Sequence, residues 1–199
     1  MLKDLISKPN NKQTILEIID LVGDSPELFA ELMECFVNGS SRVSQTTSWA
    51  LSHIGEKKPK LITPYHATLL TQLQNRTNHG AVRRNIVRIY QTCPIPEEIE
   101  GELYEACMSY VLDPKEAIAI KAFSMTVCEQ IALKYTDLIP ELIDAIKSVV
   151  PTGSAGIKNR GMHTINRLSK KHLFNGFLDV NPSKNLQSIG ILCLHVIIY

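Results

Sequence analysis

Several signatures of catalysis, metal binding and membrane insertion are missing from this chain. No two of its five cysteines (Cys35, Cys93, Cys107, Cys128 and Cys193) have Cys-x-x-Cys spacing. Scattered and odd in number, they read as free, mostly buried thiols of a reducing compartment. None of the six histidines stands in a His-Glu-x-x-His pattern, and no serine-containing elbow, P-loop or dinucleotide fingerprint occurs. Without a nucleophile beside a base, or clustered ligands, neither a catalytic centre nor a metal or cofactor site is expected. No uncharged apolar run reaches the roughly 18 residues of a membrane span. The first twenty residues lack the apolar run of a secretory signal, which leads to the expectation of a cytoplasmic protein without membrane contact. Acid is also absent from two long stretches, between Lys57 and Pro96 and between Ala145 and Leu178.

What is present is ordinary in bulk and patterned in detail. Hydrophobic residues make up 44% of 199 residues and the net charge is +1. This composition can supply a packed core and has no global pull toward an anionic surface. Helix-start signals recur. Ser25-Pro26 and Thr63-Pro64 each place a capping hydroxyl before a proline, and Asp113-Pro114-Lys115-Glu116 has the form of a capping box. Pro96-Glu97-Glu98 opens another helix with carboxylates at its positive end. Apolar residues follow helical spacing, as in Leu28, Phe29, Leu32, Met33, Phe36 and Val37. Helices are predicted near 13–22, 26–38, 41–54, 64–76, 80–92, 97–112, 115–134, 137–149 and 155–171.

These helices pair, and the pairs repeat. Val43, Val82, Ile118 and Ile157 mark one early position in the second helix of each pair, separated by 39, 36 and 39 residues. Four residues on come Thr47, Ile86, Ala122 and Gly161. A period near forty with two helices per unit is that of a helical solenoid, whose units must stack to close their cores. The segment Gly80-Ala81-Val82-Arg83-Arg84-Asn85-Ile86-Val87-Arg88-Ile89 resembles the second helix of a HEAT repeat. The resemblance to the HEAT and armadillo-type families covers about residues 24–172. It implies an all-α, α-α superhelix of about four helix pairs, with a non-repeating helical bundle as the structural alternative.

The repeat pattern is expected to occupy residues 1–174. Residues 175–199 are of a different kind, ending in the uncharged run Ile189 to Tyr199. They read as a cap over the last repeat, or as a partner or self-association surface. The loop Thr152-Gly153-Ser154-Ala155-Gly156-Ile157-Lys158-Asn159 has a faint likeness to the serine loop of the adenylosuccinate lyase superfamily, without that signature's prolines. The simpler expectation is that Ser154 caps the next helix.

Charge separates by helix. First helices carry acids, such as Glu27, Glu31 and Glu34, then Glu97 to Glu105, then Asp137, Glu141 and Asp144. Second helices carry bases. Arg84, Arg88, Lys121, Lys158, Arg160, Arg167 and Lys171 are the candidate residues of a basic groove, since the resemblance places second helices on the concave face. Pairing of acid and base helices across the stack is the competing account of the same charges. The expectation is a non-catalytic scaffold that engages a protein or peptide in the groove. The alternative is a nucleic-acid-binding or DNA-repair protein similar to the HEAT-like alkylpurine glycosylases, for which Trp49 and an acid would have to face the groove beside Arg84.

Overall fold

The computed structural model describes residues 1–179, with side chains through Lys171. The segment from 180 onward, with the proposed cap and self-association surface, lies outside the described residues, as do the side chains of 172–179. Among the described residues all regular structure is helical: α1 (Leu2–Ser7), α2 (Lys12–Val22), α3 (Pro26–Asn38), α4 (Ser41–Lys57), α5 (Pro59–Ile62), α6 (His66–Gln74), α7 (Gly80–Tyr90), α8 (Glu97–Leu112), α9 (Ile118–Lys134), α10 (Ile139–Val149) and α11 (Ala155–Asp179).

Helix α3 shows how the sequence sets these boundaries. Ser25 Oγ accepts the Leu28 amide at 3.2 Å, and Pro26 fills the first helical position, where no partner for an N–H exists. Phe29, Leu32, Met33 and Phe36 then return to one face and are buried. Asn11 caps α2 in the same way, accepting the Thr14 amide at 3.0 Å. Gly23 ends α2 at φ 52°, a conformation costly for any residue with a Cβ.

Each pair packs internally: α3 on α4, α6 on α7, α8 on α9 and α10 on α11. The second helices α4, α7, α9 and α11 contact one another in that order, and the first helices α6, α8 and α10 do the same. The result is two helical layers with the core between them, including Phe36, Leu51, Leu69, Tyr90, Leu103, Tyr110, Leu142 and Ile146. Helices α1 and α2 pack against α3 and α4 at the N-terminal end of the stack. There Arg42 donates to the carbonyls of Ser7 (2.9 Å) and Lys8.

Three boundaries differ from expectation. The helix predicted over 64–76 opens with a 3-10 turn at Thr63–Tyr65 before α6, and the short helix α5, not expected, precedes that turn. Pro64 has no N–H to continue the α ladder, and the Thr63 hydroxyl turns back to the Pro59 carbonyl at 3.4 Å instead of capping α6. The capping box at 113–116 does not form. Asp113 accepts the Lys115 amide at 2.9 Å, while the Glu116 carboxylate is drawn to two arginines, so α9 begins only at Ile118. Helix α1 was not anticipated, because six residues give too short a window for periodicity.

His66 is buried at the start of α6, with its ring stacked on Tyr90 at a centroid distance of 5.8 Å. The Tyr90 hydroxyl donates to the His66 carbonyl at 3.3 Å. Burial holds the imidazole below its ordinary value of 6.5. Below that value the unfolded chain takes up a proton that folded His66 resists, so stability falls as pH drops from 7 to 5. The urea midpoint of a His66→Gln variant is expected to change less over that range than the wild type's. Equal pH dependence would remove His66 as a contributor.

Candidate binding surface

The seven candidate bases do not form one continuous row. Arg84 and Arg88 lie one turn apart on α7, and Lys158, Arg160, Arg167 and Lys171 lie on α11. Helix α9 packs between α7 and α11, and its one candidate, Lys121, is buried. By the repeat spacing Lys121 is equivalent to Asn85 on α7 and Arg160 on α11. Asn85 is buried too, donating to Ser48 Oγ on α4 at 3.1 Å, so this register turns toward the neighbouring helices instead of the open face. Lys121 is thus buried within the stack, and the other six candidates lie on α7 and α11, on either side of α9.

These six differ in how far they are neutralised. Arg84 is exposed and has no ion-pair partner among the described residues. Arg88, one turn on, reaches Glu56 of α4 at 3.4 Å. On α11, Lys158 and Lys171 are exposed and Arg160 is half-buried, all three without an ion-pair partner among the described residues. Arg167 stands 2.9 Å from Glu129 of α9, whose other carboxylate oxygen accepts the Thr164 hydroxyl at 2.7 Å. Glu129 is buried, whereas the Arg167 side chain is 66% exposed, leaving its guanidinium open to a further acceptor.

Other bases are committed to the stack. Lys134 bridges Glu97 at 2.8 Å and Glu100 at 3.0 Å, and Tyr135 donates to Glu100 at 2.7 Å. Hydrogen bonding to Glu97 and then Glu100 raises the Lys134 ammonium above its ordinary value. Arg83 turns away from Arg84, as the helical geometry requires, and meets Glu116 at 3.2 Å. Of these, the Lys134–Glu97 pair is exposed and contributes only about 0–1 kcal/mol, whereas Glu100 and Glu116 are largely buried. Inter-helix pairing thus accounts for Arg83, Arg88 and Lys134, but leaves Arg84, Lys158, Arg160 and Lys171 without an ion-pair partner among the described residues.

The acids sort the other way. Glu98, Glu102 and Glu105 of α8 and Glu141 and Asp144 of α10 are exposed on the layer of first helices. Sequence reading missed the acids that turn inward, Glu100, Glu116 and Glu129, because a buried and an exposed carboxylate look alike until neighbours are known.

Two further residues had been singled out. Trp49 of α4 is half-buried against the core, and its indole N–H donates to His53 Nε2 at 3.0 Å. The indole is thus held by its own helix, and Glu56, the acid of α4, is engaged with Arg88. Ser154 Oγ accepts the Ile157 amide at 3.4 Å, the helix cap expected of it. Among the described residues no three or more His, Cys, Asp or Glu side chains gather as for a metal ion, and no helix is long and apolar enough to cross a membrane.

A family model, the HEAT repeat domain, matches residues 2–168. The chain belongs to the HEAT-repeat family. That match spans α1 through most of α11, so the two N-terminal helices belong to the repeat domain along with the four pairs. The HEAT solenoid also explains the layering, since stacked pairs place like helices on like. No significant match is found among curated proteins or among solved structures.

Proposed function

We propose that this HEAT-repeat protein is a non-catalytic scaffold whose second-helix layer engages an acidic protein or peptide. The observation that carries this reading is the separation of exposed charge: exposed acids on α8 and α10, and bases on α7 and α11 that have no ion-pair partner among the described residues. In HEAT solenoids the second helices line the concave side, where a low-dielectric wall focuses potential onto a ligand of opposite sign. An extended acidic segment lying across α9 would meet Arg84 at one end and Lys158, Arg160, Arg167 and Lys171 at the other.

The test is fluorescence anisotropy with a labelled Glu-rich peptide and, separately, a labelled DNA duplex, each at two salt concentrations. The peptide is expected to bind in a salt-sensitive way, and the double substitution Arg84→Glu with Arg160→Glu should weaken it by about tenfold or more, equivalent to about 1.4 kcal/mol. Tighter binding of the duplex, lost in the same variant, would replace this reading with nucleic-acid recognition. Absence of binding to either probe would overturn the basic surface as a site.

A further inference from the structure

A cavity of about 450 Å³ opens at the edge of the stack, between the α8–α9 turn and the α10–α11 turn. It lies apart from the exposed bases on α7. Its apolar lining includes Leu112, Ile118, Val149 and Ile157. Leu112 and Ile118 are 48% and 54% exposed, unusual for large apolar side chains flanking a cavity.

One cation is set among these walls. Lys121 lines the cavity, is only 9% exposed, and has no hydrogen-bond or ion-pair partner among the described residues. Its amino nitrogen is not sealed from solvent. An ammonium set among apolar walls gains from an anion or acceptor that meets it. Glu116, the acid in the lining, does not serve: Arg83 and Arg76 already hold it at 3.2 and 3.5 Å.

A second positive feature borders the same space. Ser154, at the start of α11, lines the cavity and satisfies the Ile157 amide. The Lys158 amide returns to the Ser154 carbonyl at 2.9 Å. The amides of Ala155 and Gly156 are left without an acceptor among the described residues, at the positive end of a 25-residue helix. A Cβ on Gly156 would lie 3.7 Å from Ile118 Cγ2, which places this residue against the cavity wall.

We propose that this cavity is a second recognition site, for the C-terminal carboxylate of a peptide that ends in an apolar residue. The carboxylate would accept from the Lys121 ammonium and from the free α11 amides, while the last side chain fills the space between Ile118, Val149 and Ile157. A bare anion would leave the apolar walls wet, and an apolar group alone would leave Lys121 unmet.

Three small probes separate the sources of such a group: N-acetylleucine, which carries a terminal carboxylate beside an apolar side chain; N-acetylleucinamide, which lacks the carboxylate; and N-acetylaspartic acid α-amide, whose carboxylate is on its side chain. In ¹H–¹⁵N spectra of the full chain, N-acetylleucine is expected to shift the Ala155 and Gly156 amides, with at least tenfold weaker binding of the other two. Lys121→Met keeps the stem and removes the charge; it should reduce N-acetylleucine binding at least tenfold while the rest of the spectrum stays in place. Equal binding of the amide, equal binding of the aspartate derivative, or undiminished binding by Lys121→Met would each overturn the site. So would inorganic phosphate binding as tightly as N-acetylleucine, since the apolar walls would then contribute nothing.

Discussion

Replacing Tyr110 by alanine should lower the melting temperature by about 10 °C or more, the largest loss expected from a single side chain here. Tyr110 of α8 is fully buried, and its hydroxyl donates to the Leu73 carbonyl of α6. The Arg76 guanidinium lies over its ring at 4.0 Å, and that of Arg83 at 5.9 Å. Burial pushes the phenol up to about 12, so it remains a protonated donor at neutral pH. One ring therefore joins α6, α8 and the N-terminal part of α7, and it backs the arginines that hold Glu116. Truncating a buried aromatic costs about 3–5 kcal/mol, which corresponds to about 6–20 °C for a chain of this size. Tyr110→Phe keeps the volume and gives up only the hydrogen bond, about 1 kcal/mol. Thermal unfolding of both variants separates the contributions. If the alanine and phenylalanine variants melt together, the ring does not join the units in this way.

Gly39→Ala is expected to be nearly as damaging, although alanine favours helices and the backbone here is unstrained at φ −78°. The reason is space. A Cβ on Gly39 would sit 2.4 Å from the Cys35 carbonyl oxygen and 2.4 Å from Val43 Cγ1. Backbone cannot swing aside as a flexible side chain can, so α3 and α4 must move apart, at a cost near the upper end of about 1–3 kcal/mol. The gain from a less flexible unfolded chain, about 0.4–1 kcal/mol, runs the other way and is too small to offset it. Gly101→Ala provides the opposite sign. Gly101 is exposed within α8 and a Cβ there meets nothing within 4 Å, so the substitution should stabilise by about 1 kcal/mol. Urea midpoints of the two variants should move in opposite directions; a shift of Gly39→Ala toward higher urea would refute the close approach.

The same glycine illustrates how the repeat was legible before its cause was. Val43 and Ile157 were aligned from spacing alone as one early position of the second helices. In the structure each stands four residues after a glycine that it crowds: a Cβ on Gly153 would meet Ile157 Cγ2 at 2.6 Å, as one on Gly39 meets Val43. The companion position four residues later ends at Gly161, where a Cβ would lie 2.5 Å from Val150 Cγ2. Gly161 is small because α10 and α11 cross closely there, a demand of packing that the sequence displays only as a position in a period.

The functional side was less legible. Sorting charges by helix found the acidic and basic layers, since helix assignment fixes which layer a residue belongs to. It could not separate Arg84, which is exposed, from Arg88, which meets Glu56, or from Lys121, which is buried. Those outcomes depend on neighbours 30 or more residues away in sequence, as in Arg88–Glu56 and Arg167–Glu129.

By itself, then, the sequence determined the elements that depend on local chemistry. The Ser25 and Ser154 caps, the apolar stripe of α3 and the forty-residue period each need only residues within one or two turns, or a count along the chain. Tertiary structure alone decided what depends on stacking: the inward turn of Glu116 and Glu129, and the burial of Lys121. Stacking brings groups together from different repeats, and a charge changes from solvated to paired or stranded according to which neighbour the adjacent unit presents.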